Sequence, residues 1–212
     1  MIRNYLTLII PLYAILIGCS SEHSVESIVN PYIFPIKDGN MWKLFLDLDS
    51  TKNTGCIFRI EGKISIDSIS IPPEFKSKMI DAPNRLLFYY FYDEQIDGVG
   101  RDPDYVFKTY DGFIIYIRIL REYFYFKYPS GEFKDYTYFY STRFTQPEVT
   151  VNCDVSTNEI EYNRIKYKTY EYKFDDRTVF SFSNEIGMSR YIEHYNFDRF
   201  RYTYILDSVI VN

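Results

Sequence analysis

Apolar and polar side chains alternate along most of the chain beyond residue 40, as they do in strands that bury one face. In the first such segment Trp42, Leu44 and Leu46 fall on one face, whereas Lys43 and Asp47 fall on the other, with Phe45 as the exception on that second face. Tyrosine, phenylalanine, isoleucine and threonine fill the later runs, and glycine or proline stands at nearly every gap. The predicted strands after residue 80 are 86–92, 105–110, 113–119, 122–128, 133–144, 148–155, 166–174, 178–182, 188–196 and 201–211.

This pattern predicts an all-β, mostly antiparallel domain of about ten or more strands. A single curved sheet, a half-barrel and a sandwich are all compatible with it. Ile64, Ile66 and Ser68 alternate with other residues and continue the extended pattern. Residues 70–84 carry three prolines and predict an irregular segment with one helical turn.

The N-terminal segment follows a different pattern. Arg3 precedes an almost wholly apolar run from Leu6 to Ile17, and Gly18 and Cys19 follow it. This run is too short for a helix that spans a bilayer, which takes about 20 residues. A positive start, a short apolar run and a small residue at its end are typical of a cleaved export signal.

The segment Leu16-Ile17-Gly18-Cys19 resembles the lipobox of bacterial lipoproteins. The resemblance implies cleavage before Cys19, lipidation of its sulfur and anchoring in a membrane. In enterobacterial lipoproteins an aspartate at the next position favours the inner membrane, so Ser20 implies the outer membrane. The expected organisation is a helical signal peptide over 1–18, a lipidated cysteine and tether over 19–31, and a β-rich domain over 32–212. The alternative is an ordinary secretory signal, or a buried apolar helix, with a chance cysteine.

The net charge limits the partners of the chain. The formal charge of −5 becomes −6 for residues 19–212, because Arg3 is the one charged residue of the signal. The chain also has no dense block of lysine and arginine. A mild acidic excess argues against nucleic acid, or an anionic membrane surface, as the main partner.

Two cysteines remain after Cys19. Cys56 and Cys153 either form one long-loop disulfide, which an exported chain permits, or stay two buried free thiols. The sequence leaves both alternatives open, because a disulfide needs its two Cα atoms within about 7 Å. A Cys-x-x-Cys motif is absent.

Few residues are suited to catalysis. The two histidines are His23, in the tether, and His194, in a strand-like segment, and no G-x-S-x-G or zinc motif occurs. We therefore expect no catalytic site, no cofactor and no established metal site. The acidic loop 93–104 is a weak calcium candidate, and its alternative interpretation is a solvated connection. The candidate ligands are Asp93, Asp97, Asp102 and Asp104.

Aromatic residues are unusually frequent, with 23 tyrosines and 18 phenylalanines but one tryptophan. Tyrosine can bury its ring while its hydroxyl stays in water. One interpretation is a groove or cavity lined with rings that holds an apolar or glycan ligand. The other is cross-strand pairing of rings, which stabilises a broad curved sheet.

A second resemblance is to uncharacterised outer-membrane lipoproteins of Bacteroidetes that carry an early Pro-Gly-Trp signature and a late glycine-rich element. Pro35, Gly39 and Trp42 supply the signature here, and Gly187 supplies the late element. Glu185 stands where the group usually has another glycine. Because glycine lets a large ring approach the backbone, we predict that Trp42 and Gly187 pack together where the first and last strands meet and close the sheet. The group implies no activity and no catalytic residues.

Together these features predict a lipid-anchored envelope protein that is not an enzyme. Its expected partners are the membrane, through Cys19, and an unknown envelope protein or an apolar or glycan ligand. The alternatives are a structural or assembly accessory of an envelope complex and a surface hydrolase. A deep cavity lined with rings favours a ligand, an exposed apolar patch or open sheet edge favours the accessory, and two close carboxylates favour the hydrolase.

Overall fold

The computed structural model describes residues 33–47, 54–90, 103–118, 120–129, 133–141, 148–175, 177–195 and 200–211. In these residues the chain forms one twelve-stranded antiparallel sheet that is nearly closed into a barrel. The all-β prediction is confirmed, and a two-sheet sandwich is excluded because all twelve strands belong to one sheet. The predicted signal peptide, Cys19 and the predicted tether lie outside the described residues.

Two short helical turns accompany the strands. A 3-10 helix spans Ile66–Ser68, and a single-turn α-helix, α1, spans Pro73–Lys76. In the ranges given above, no helix is both long and apolar enough to cross a membrane. The strands are β1 (Met41–Leu46), β2 (Gly55–Lys63), β3 (Asn84–Tyr90), β4 (Tyr105–Lys108), β5 (Gly112–Ile117), β6 (Glu122–Lys127), β7 (Tyr136–Tyr140), β8 (Val149–Tyr162), β9 (Ile165–Phe174), β10 (Thr178–Ser183), β11 (Gly187–Tyr195) and β12 (Phe200–Ile210).

The sheet is a meander whose first and last strands pair with each other. The strand order is β6-β5-β4-β3-β2-β1-β12-β11-β10-β9-β8-β7, and the β1–β12 pair runs from Met41 opposite Ile210 to Leu46 opposite Tyr204. This pair therefore joins two halves in the middle of the sheet. The prediction that the first and last strands meet is confirmed. The prediction that their meeting closes the sheet is wrong, because the two edges of the sheet are β6 and β7, which are neighbours in sequence.

Aromatic rings fill the inside of the sheet. Phe34 enters one end from the segment before β1, and its ring centroid lies 4.5 Å from that of Trp42. Phe126 packs among five other rings, and aromatic pairs of this kind each stabilise a core by about 1 kcal/mol beyond burial. The rings around Phe126, with centroids 4.7–5.2 Å away, are Phe113, Tyr172, Phe174, Phe180 and Phe182.

The segment 64–83 packs on the outer face of β4 and β6. The hydroxyls of Tyr105 and Tyr123 both donate to the carbonyl oxygen of Ser70, at 2.9 and 2.7 Å. Phe75 of α1 is 1% exposed and packs against the Tyr123 ring. The prediction of an irregular segment with one helical turn is confirmed, and the segment adds a second apolar layer outside the sheet.

The secondary structure differs from the prediction in three places. Strand β2 is absent from the predicted strands. Residues Ile66–Ser68 form a 3-10 turn instead of extended chain, because the Ser68 amide and hydroxyl both donate to the Ser65 carbonyl oxygen. Strand β8 runs on to Tyr162, beyond the predicted end at residue 155. Its polar outer residues hid it, but positive φ angles at Asn163 and Arg164 form a tight turn into β9.

Candidate functional site

The predicted contact between Trp42 and Gly187 is confirmed. The indole Nε1 of Trp42 donates a hydrogen bond of 2.6 Å to the carbonyl oxygen of Ile186. Gly187 has a φ of 73°, and a Cβ built on it would lie 2.7–2.9 Å from three atoms of the indole. Only glycine fits this position, because a side chain would be strained and would overlap the ring.

Pro35 and Gly39 shape the turn that leads into β1. The Asn40 side chain donates to the Pro35 carbonyl oxygen at 2.7 Å, and the Gly39 amide donates to the Ile60 carbonyl oxygen at 2.9 Å. Gly39 has a φ of 83°, which glycine adopts without strain. The structure therefore brings all four signature residues to one end of the sheet, where they hold Phe34 over the interior rings.

Cys56 and Cys153 are both buried free thiols, so the disulfide alternative is not the one that the structure adopts. Five strands separate β2 from β8 in the order of the sheet. Burial raises the pKa of the Cys153 thiol to about 12, and burial also raises the pKa of Cys56 well above its usual value. Both thiols stay protonated at neutral pH and lack the reactivity of a thiolate.

Asp104 is the calcium candidate that lies within the described residues, whereas Asp93, Asp97 and Asp102 lie outside them. The Asp104 carboxylate accepts a hydrogen bond from the Arg118 amide, and the positive charges of Arg118 and Arg85 act on it. Neighbouring cations make this carboxylate a poor calcium ligand. Across the described ranges, no three His, Cys, Asp or Glu side chains form a group that could hold a metal ion.

Asp104→Asn is expected to remove a pH dependence of stability between about pH 4 and 6. Burial raises the pKa of Asp104 from 3.8 to about 6, despite the opposing Arg118 amide and the two guanidinium groups. The folded state then binds the proton more tightly than the unfolded state does, so stability falls as pH rises through this window, by up to about 3 kcal/mol. Urea unfolding of both proteins at several pH values measures the difference. A wild-type curve parallel to that of the asparagine variant would contradict the assignment.

The edges of β6 and β7 meet through tyrosine hydroxyls, and no backbone ladder joins them. The Tyr138 hydroxyl accepts from the Tyr125 amide at 3.4 Å and donates to the Tyr123 carbonyl oxygen at 2.6 Å. Two residues earlier, the Tyr136 hydroxyl accepts from the Lys127 amide at 3.3 Å and donates to the Tyr125 carbonyl oxygen. Each hydroxyl therefore serves one amide and one carbonyl of the β6 edge.

Tyr172 of β9 completes this arrangement by donating to the Lys127 carbonyl oxygen at 2.6 Å. Burial raises the pKa of Tyr136, Tyr138 and Tyr172 well above the usual value, so each hydroxyl keeps the proton that it donates. We call the strip formed by Tyr136, Tyr138, Tyr172 and the β6 edge the tyrosine seam. Sequence analysis missed the seam, although tyrosines at alternate positions of β7 were a visible signal.

Phe75 covers the tyrosine seam from outside. Beside it, the Tyr125 hydroxyl donates to the Asp111 carboxylate, and the Lys78 ammonium lies 4.5 Å from the centre of the Tyr125 ring. The β6 edge is thus hydrogen-bonded and covered, which removes the usual hazard of an open edge. The rings around Phe75, with centroids 5.4–6.2 Å away, are Tyr123, Tyr125, Tyr138 and Tyr140.

Carboxylates interact near the start of β6. The pKa of Glu122 is raised, chiefly because the carboxyl group is buried. The positive charge of Arg177 opposes this shift, and the negative charges of Asp175 and Glu193 add to it. His194 lies in β11, where the backbone register pairs it with Arg201 of β12. A hollow of about 190 Å³, lined by Asp67, Lys76 and three isoleucines, lies on the surface by the 3-10 helix, outside the ring-filled interior.

Comparisons with known proteins give no family for this chain. No protein-family model, no curated protein and no solved structure matches it. The interior that the structure describes is packed with aromatic rings, and tyrosine hydroxyls bond the backbone of the β6 edge.

Proposed function

We propose that this chain is a lipid-anchored envelope protein whose β domain is non-catalytic and binds its partner or ligand on the outer surface of the sheet. The observation that carries the proposal is Cys19, placed after a positive residue and a short apolar run in a segment that resembles a lipobox. Two acyl chains on one cysteine give stable membrane attachment. Ser20 supports the outer membrane as the site of attachment.

The packing of the domain supports binding at the outer surface. Phe126 is 0% exposed and touches five other rings, so a ligand in the interior would have to displace them. Ligand sites in proteins are usually preformed concave spaces. The described interior offers rings in contact where such a space would be needed, which favours an external surface over an aromatic-lined cavity.

Metabolic labelling with a clickable fatty acid tests the anchor. Cys19→Ala is expected to abolish labelling and to move the protein out of the membrane fraction, because the sulfur that carries the lipid is gone. Cys153→Ala is the matched control, since this thiol is buried and unreactive, and it should keep the label. Labelled Cys19→Ala protein would refute the anchor.

A further inference from the structure

The outer faces of four neighbouring strands, β3, β2, β1 and β12, form a surface that combines apolar and basic side chains. Strand pairing places these outward side chains in rows. Ile205 and Ile210 are 43% and 50% exposed, and the other apolar members are partly exposed. We call this surface the basic–apolar face. Its outward residues are Met41, Lys43, Phe45, Ile57, Arg59, Glu61, Arg85, Leu87, Tyr89, Ile205 and Ile210.

These four strands carry a net positive charge, although the chain as a whole is acidic. The basic side chains that the structure describes on them are Lys43, Arg59, Lys63 and Arg85, and Lys63 forms a salt bridge of 2.7 Å with Asp81. Their two acidic residues are Glu61, which lies on the outward side of β2 with Arg59, and Asp207, which lies at the bulge of β12. By contrast, β8 has three acidic residues and no lysine or arginine. The net charge of the chain therefore conceals a local basic surface.

We infer that the basic–apolar face rests on a bilayer surface that contains anionic lipid headgroups. Lysine and arginine bind such headgroups, while isoleucine, phenylalanine and tyrosine side chains enter the boundary between headgroups and acyl chains. The inference rests on the proposed anchor, which brings the domain to a membrane. It identifies the side of the domain that faces that membrane.

The position of the tether agrees with this orientation. The chain enters the domain through residues 33–40 and passes directly into β1, whose outward residues belong to the face. Thirteen residues, 20–32, link Cys19 to this entry, and they can span at most about 45 Å when fully extended. An anchor at this distance keeps the face at high effective concentration near the bilayer, so a weak interaction with the lipid headgroups is enough to hold the face against the membrane.

Vesicle co-sedimentation of the mature chain, residues 19–212 with Cys19→Ala, tests the face without the lipid. At low ionic strength this protein should bind vesicles of phosphatidylglycerol and phosphatidylcholine better than vesicles of phosphatidylcholine alone. Arg59→Glu with Arg85→Glu should weaken binding to the anionic vesicles by at least about tenfold. Lys166→Glu with Lys168→Glu, on the β8–β9 hairpin, makes the same change in charge and should leave binding within about twofold.

The inference would be overturned if the parent protein bound both kinds of vesicle equally, or if the two charge-reversed variants lost binding equally. It would also be overturned if the parent protein sedimented without vesicles, because the face would then be covered by a second copy of the chain. Circular dichroism first establishes that each variant is folded. If the glutamate variant is not, Arg59→Gln with Arg85→Gln replaces it, and it should also weaken binding. The protein used in the vesicle experiment carries no lipid, so its vesicle binding does not depend on the outcome of the fatty-acid labelling. A wrong proposal about the anchor can therefore be distinguished from a wrong inference about the basic–apolar face.

Discussion

Gly187→Ala is expected to lower the free energy of unfolding by about 2–4 kcal/mol. The residue has a φ of 73°, and its new Cβ would lie 2.7–2.9 Å from atoms of the Trp42 indole. The indole cannot move aside easily, because its Nε1 is bonded to the Ile186 carbonyl oxygen and its ring packs on Phe34. Guanidinium unfolding followed by circular dichroism measures the loss.

Gly62→Ala is the matched control for this substitution. Gly62 also lies in a strand, β2, but nothing lies within 4 Å of a Cβ built on it. The free energy of unfolding of the Gly62→Ala protein should therefore differ from that of the wild type by less than about 1 kcal/mol. Trp42→Leu combined with Gly187→Ala should lose less stability than the two single changes added together, because the smaller side chain relieves the overlap. Additive losses would show that the contact is not the cause.

Tyr136→Phe combined with Tyr138→Phe is expected to destabilise the fold by about 2–5 kcal/mol. The two substitutions keep the rings but remove the hydroxyls that serve the Tyr125 and Lys127 amides and two carbonyl oxygens of the β6 edge. Buried backbone groups without partners carry the full cost of desolvation. Hydrogen exchange of the β6 amides should become faster, and the freed edge should promote self-association at high concentration.

Tyr110→Phe provides the comparison for the tyrosine seam. Its side chain is 81% exposed, so removal of its hydroxyl should leave both the unfolding energy and the exchange of β6 unchanged. If the double seam variant matches Tyr110→Phe in stability and exchange, the hydroxyls do not support the edge.

Local pattern was sufficient for the class of the fold and for one tertiary contact. The alternation of Trp42, Leu44 and Leu46 with polar residues predicted the inward face of β1, and these three side chains are buried or partly buried. The signature residues predicted the contact of Trp42 with Gly187, because a glycine lets the backbone approach a large ring closely. The extension of β8 was missed, since residues 156–159 are all polar, although Ile160 and Tyr162 beyond them are partly buried.

The chain by itself determined that the residues beyond 40 form strands, because residues of high β propensity alternate in polarity and glycine or proline separates them. It also contains the short apolar run that ends before Cys19, since this feature depends on local order alone. The tertiary structure decided where the sheet has its edges, that Cys56 and Cys153 stay apart, that tyrosine hydroxyls bond the β6 edge, and that Arg59 lies in a row with apolar side chains on one outer face. Those features depend on which strands lie side by side and in what register, and residues far apart in sequence carry no local signal of that pairing.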